Sequence, residues 1–118
     1  VKLTEQTIKE NIDFVTSLSD EEFMSWRKTI LKTVYSMIGF REEKNYKESD
    51  KLKDIINSVG IKFNISKCNY GKYGDKELYF FYHTDLVGKR IGGIISMLTK
   101  IINYDIRKIK ERLINETN

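Results

Sequence analysis

Apolar residues in the first sixty positions recur every three to four residues, and after Gly60 they recur every second residue. Ile8, Ile12, Val15 and Leu18 fall on one helical face within Thr4–Leu18, and Thr4 is placed to cap its start. Ser19 then opens the segment SDEEF, in which Ser19 and Glu22 have capping-box spacing. Phe23, Trp26, Ile30, Val34, Met37 and Ile38 continue as one stripe, which predicts a long helix ending near Gly39. The segment GFREEKNY reads as a link of about eight residues to a third helix within Lys47–Val59. Leu52, Ile55, Ile56 and Val59 form its core face, and Gly60 is a natural terminator.

Ile61, Phe63 and Ile65 alternate with Lys62, Asn64 and Ser66, the pattern of a strand with one buried face. The next strand, Glu77–His83, is apolar on both faces, which predicts cover on both sides or a dimer contact. A loop of about seven residues joins the two strands, with Gly71 and Gly74 supplying its backbone freedom. A final helix is predicted from roughly Leu86 to Asn115. At about 30 residues it would span roughly 45 Å, more than a domain of this size can cover. Its apolar stripe, Ile94, Leu98, Ile102, Ile106, Ile109 and Leu113, is therefore expected to meet a second copy of the chain. Gly92 and Gly93 interrupt the helical stretch and mark a kink, a late helix start or a close crossing. The expected fold is one α+β domain over residues 1–118: three helices, a β-hairpin and a long, dimerising C-terminal helix over 85–115.

Composition adds little to this outline, but the charge distribution does. The chain has 118 residues and a net charge of +4. Residues 1–58 carry 10 basic and 11 acidic side chains, whereas residues 59–118 carry 11 and 6. The basic excess lies wholly in the second half, which points towards nucleic acid or an acidic membrane surface. No run of eighteen apolar residues is present, so no membrane span is expected. A start without a leader-like apolar run, VKLTEQTIKE, and a single cysteine fit a cytoplasmic protein.

Catalytic chemistry has few candidates. Cys68 and His83 are the sole cysteine and histidine. A hairpin centred near Lys72 sets Cys68 opposite Lys76 and His83 opposite Ile61, roughly 23 Å apart at ~3.3 Å per residue. A nucleophile and its base need hydrogen-bonding reach, so no dyad is expected. One Cys and one His do not build a zinc cage, and GKRIGG at 88–93 lacks the phosphate-loop pattern. No enzyme activity, cofactor or metal is expected.

Residues 47–91 resemble the back half of a winged helix-turn-helix domain. The parts KLKDIINSVGIKF, NYGKYGD and YFFYHTDLVGKRI follow that family's order of recognition helix, basic glycine-containing wing and return into a helix. The segment KNYKESDKLKDIINSVGIKF also resembles a C-terminal stretch of cysteinyl-tRNA synthetases. It covers about twenty residues without any synthetase catalytic motif, and reads as convergent local grammar. The winged-helix resemblance implies binding of double-stranded DNA by a dimeric regulator or a plasmid or phage accessory protein.

The residues that would carry this binding fall in two groups. With the apolar side of the third helix turned inward, Lys47, Ser49, Lys51, Lys53 and Asn57 are expected on the side that reads the major groove. In the hairpin, Lys62, Lys67, Lys72 and Lys76 would neutralise phosphates, and Tyr70 and Tyr73 would contact phosphates or sugars at the groove edge. Two other readings use the same residues. In one, the protein binds RNA, with the tyrosines stacking on unpaired bases. In the other, it is an interaction or oligomerisation module built on the terminal helix.

Overall fold

A computed structural model describes residues 3–69, 71–83 and 89–102, with Tyr73, Lys89, Ile101 and Ile102 described by backbone alone. It is an α+β arrangement of four helices and one two-stranded antiparallel hairpin. Helix α1, Glu5–Ser17, begins where Thr4 Oγ1 accepts the Thr7 amide at 3.1 Å. Helix α2, Asp20–Glu42, carries the expected capping box. Ser19 Oγ accepts the Glu22 amide, and Glu22 Oε1 accepts the Ser19 amide, each at 3.2 Å. Two otherwise unpaired amides are thereby satisfied, and three acidic residues in the first turn complement the helix dipole.

α2 does not stop near Gly39 as the sequence predicts; it runs to Glu42. A glycine inside a helix costs about 1 kcal/mol. Burial of Met37 on one side of it and anchoring of Arg41 on the other outweigh that cost. The expected eight-residue link shrinks to Glu43, Lys44 and Asn45. Lys44 takes a left-handed φ of 63°, and the Asn45 amide returns to the Phe40 carbonyl at 2.8 Å. Asn45 caps α3, Tyr46–Asn57. Gly60, at φ 87°, turns the chain out of that helix.

Strands β1, Ile61–Asn69, and β2, Asp75–His83, pair from Ile61↔His83 to Asn69↔Asp75. Gly71 and Gly74 adopt φ of 63° and 76° at the ends of a single 3₁₀ turn, conformations that disfavour any side chain. Asn69 fixes the turn by donating to Asp75 Oδ1 at 2.8 Å and accepting the Gly71 amide at 2.9 Å.

The core joins Ile12 and Val15 of α1, Val34 and Met37 of α2, Ile56 of α3, and Ile61, Tyr79 and Phe81 of the hairpin. The last helix, α4, Lys89–Ile102, closes it with Ile91, Ile94, Ile95 and Leu98. Ile94 and Leu98 were expected at a dimer interface. They are instead 1% and 0% exposed inside the chain's own core, because α4 packs against β2. Ile106, Ile109 and Leu113 lie outside the described residues, as does the side chain of Ile102. A Cβ at Gly92 or Gly93 would meet nothing within 4 Å, so no close crossing requires these glycines. Arg90 ties α4 to the α1–α2 corner. It donates to the Val15 and Leu18 carbonyls at 3.1 and 2.7 Å, and its guanidinium lies 4.7 Å from the centre of the Phe23 ring.

Candidate nucleic-acid interface

Residues directly opposite in an antiparallel pair point to the same side, so the register sorts the hairpin into two faces. The inner face holds Ile61, Phe63 and Ile65 opposite His83, Phe81 and Tyr79, then Lys67 opposite Glu77 and Asn69 opposite Asp75. The outer face pairs Lys62 with Tyr82, Asn64 with Phe80, Ser66 with Leu78 and Cys68 with Lys76. The hairpin lysines therefore do not share one face. Lys67 is inner, Lys62 and Lys76 are outer, and Lys72 sits in the turn. Lys67, Lys72 and Lys76 are exposed, and Lys62 is half-buried. Tyr70 lies outside the described residues, and of Tyr73 only the backbone is described.

Glu77 is the carboxylate that faces Lys67, and it is held by another group. Arg41, at the end of α2, donates to both its oxygens, from Nε at 2.8 Å and Nη2 at 3.3 Å. Tyr79 Oη donates to the same carboxylate at 3.1 Å. The Arg41 hydrogen bonds hold the Glu77 carboxyl below the usual carboxylate range. Burial, with the Glu77 charge next in effect, pushes the Tyr79 hydroxyl well above its usual range. Tyr46, the first residue of α3, packs its ring 5.5 Å from the Arg41 guanidinium. One cluster thus joins the end of α2, the start of α3 and the distal half of β2. It also sets the Arg41 charge beside the carboxylate that faces Lys67, so that Glu77 is shared between two cations.

On α3, Lys47, Lys51 and Lys53 are exposed as expected, and Asn57 is half-buried. Ser49 is not on the exposed side. It is 5% exposed, and its hydroxyl donates to the Met37 carbonyl of α2 at 3.0 Å. The reason lies in its spacing: Ser49, Leu52 and Ile56 are three and seven residues apart and share a face. Ile55, expected inward, is 51% exposed. The lysines of this helix have acidic company. Lys51 pairs with Glu48 at 3.0 Å, and Asp50 and Asp54 are exposed on the same helix. Lys53 leans towards the hairpin, its ammonium 6.0 Å from the Phe63 ring centre. Lys53 and Lys67 therefore both belong to the side of the hairpin that α3 packs against.

Cys68 and His83 take the predicted register positions, opposite Lys76 and Ile61, and stand on opposite faces. Among the described residues no group of three His, Cys, Asp or Glu side chains could hold a metal ion. No described helix is long and apolar enough to cross a membrane.

Sequence reasoning missed Arg41, because pairing with a carboxylate 36 residues away leaves no local signal. It also missed Phe80 and Tyr82, which remain 47% and 44% exposed on the outer face. The signal for them was present in β2, whose apolar residues occupy both faces; cover or a dimer contact was expected there, and the two rings remain exposed. No family model matches the chain, and no curated protein or solved structure matches it either.

Proposed function

We propose that this protein binds double-stranded DNA in a winged-helix manner, as a transcriptional regulator or a plasmid or phage accessory protein. In this reading α2 and α3 form the helix-turn-helix, α3 enters the major groove, and the hairpin is the wing. The supporting observation is the Arg41–Glu77 pair. It balances the one carboxylate opposite Lys67 with the Arg41 guanidinium, on the hairpin face that also carries Phe63, against which Lys53 leans, and two residues before the turn-side Asn69. The three-residue turn between α2 and α3 also fits the short connection of a helix-turn-helix. Each lysine that neutralises a phosphate releases counterions, so affinity should fall steeply with salt.

Binding to duplex DNA from around the gene itself, titrated with salt, tests this reading. Lys67→Glu with Lys72→Glu is expected to lower affinity and make its salt dependence shallower. Unchanged binding would remove the hairpin from the mechanism. Self-association belongs to the same proposal and is assigned to the segment after residue 102, since Ile94 and Leu98 are used in the core. Ile106→Asp with Ile109→Asp is expected to turn a sedimenting dimer into monomers. A wild-type protein that is already monomeric would refute it.

A further inference from the structure

The duplex reading above rests on Lys67 of the inner face and Lys72 of the turn; the register sets Lys62 and Lys76 apart from them on the outer face, whose make-up is specific. Phe80 and Tyr82 stand two residues apart on β2, both nearly half exposed, with Asn64 and Lys62 beside them on β1. Lys62 marks one end of the face and Lys76 the other. They are six residue pairs apart, or about 20 Å at ~3.3 Å per residue. Among the described residues of the two strands, no carboxylate lies on this face. Asp75 and Glu77, the acidic residues of the two strands, both point to the inner side. Among the described residues neither Lys62 nor Lys76 forms an ion pair.

We infer that this face binds an unpaired DNA strand, with bases stacked on Phe80 and Tyr82 and phosphates held by Lys62 and Lys76. Charge complementarity selects the ligand. A sheet face with two accessible rings, a lysine at each end and no acidic group among its strand residues suits a chain that alternates flat π-faces with negative charge. A protein partner would leave both ammonium groups against neutral surface, unless it carried matching carboxylates. In duplex DNA the bases are stacked on one another and give the rings nothing to cover, so the strand must be unpaired. The choice of DNA over RNA rests on the duplex-DNA reading above; the ring and lysine geometry does not depend on it. The protein would then hold duplex on the α3 side of the hairpin and an adjoining single strand on the other, as at a melted or nicked site.

Fluorescence anisotropy with labelled oligothymidine, an oligouridine of equal length and a duplex is the test. The full chain is expected to bind oligothymidine, and Phe80→Ala with Tyr82→Ala to weaken that binding by about tenfold or more while duplex affinity holds. Phe80→Leu with Tyr82→Leu keeps the apolar bulk without the rings and should lose the same binding, whereas Phe80→Trp should keep it. Lys62→Gln with Lys76→Gln should make the single-strand salt dependence shallower, by roughly 0.7 for each phosphate no longer neutralised. Retention of single-strand affinity by the leucine variant would overturn the stacking. Tighter binding of oligouridine than oligothymidine would overturn the assignment to DNA. Binding of duplex but not oligothymidine would overturn this inference alone, and binding of neither DNA would overturn the duplex reading with it.

Discussion

Helix α3 and the hairpin offer similar numbers of lysines, but they differ in where their carboxylates are held. α3 has three lysines and three acidic residues within twelve positions, and Lys51 closes onto Glu48 three residues before it. The two strands and their turn carry Lys62, Lys67, Lys72 and Lys76 against only Asp75 and Glu77, and Glu77 is ion-paired outside the hairpin. Asp75 keeps its charge, accepting only from the neutral Asn69 amide, while Arg41 balances that of Glu77. A similar lysine count therefore leaves α3 near neutrality and the hairpin with a net positive field. What an element offers a polyanion depends on the partners of its acidic groups, and those are set by tertiary contacts.

Reversing charge in each element breaks this contrast most directly. Lys67→Glu with Lys72→Glu is expected to weaken duplex binding on the order of tenfold to a hundredfold near 0.1 M salt. Lys47→Glu with Lys51→Glu should cost several times less, since that face is already balanced. Equal losses would show that the α3 lysines hold the phosphate backbone as strongly as the hairpin does. Arg41→Ala comes next. It leaves Glu77 unpaired and should lower stability by about 1–2 kcal/mol in urea unfolding. It should also weaken duplex binding, because the freed carboxylate then offsets Lys67. Adding Glu77→Gln to Arg41→Ala should restore part of that affinity.

Ser49→Ala sharpens the assignment of α3. Loss of its buried bond to the Met37 carbonyl should cost about 1 kcal/mol of stability and leave duplex affinity unchanged. A loss of affinity at full stability would place Ser49 back at the interface. The smallest effect is expected from pH. The folded Glu77 carboxyl ionises below its ordinary 4.5, so its stabilisation is complete above that pH. It declines as pH falls, because the unfolded chain takes up the proton first. Tyr79 acts in the opposite range. Its hydroxyl stays protonated in the fold above pH 10, where the unfolded chain loses the proton, so stability falls as pH rises beyond 10. The acid-side slope should flatten in Glu77→Gln.

Much of the backbone was legible because its signals are local. The Ser19–Glu22 box lies within one turn of chain, and the hairpin register follows from strand alternation about a glycine-bounded turn. Cys68 opposite Lys76 and Ile61 opposite His83 were readable on that basis alone. Gly39 shows where local grammar misleads, since a residue that often ends helices is carried through by packing on both sides. Within the candidate site, the exposure of Lys47, Lys51, Lys53, Lys67, Lys72 and Lys76 was legible from their chemistry. Ser49 was legible in principle, because it shares its phase with Leu52 and Ile56, but its polar side chain argued for the surface.

The order of elements, the Thr4 and Ser19 caps, the hairpin register and the basic bias of the second half were all written in the chain. Each depends on residues within a turn or a strand of one another, or on a simple count. Long-range packing was needed to assign Glu77 to Arg41 and to spend Ile94 and Leu98 in the core. It was also needed to turn Phe80 and Tyr82 outward. Periodicity fixes which residues of an element share a face, but a face acquires its role from what packs against it. In β2 both faces are apolar, and only the arrival of α4 and the core on one of them left the other open.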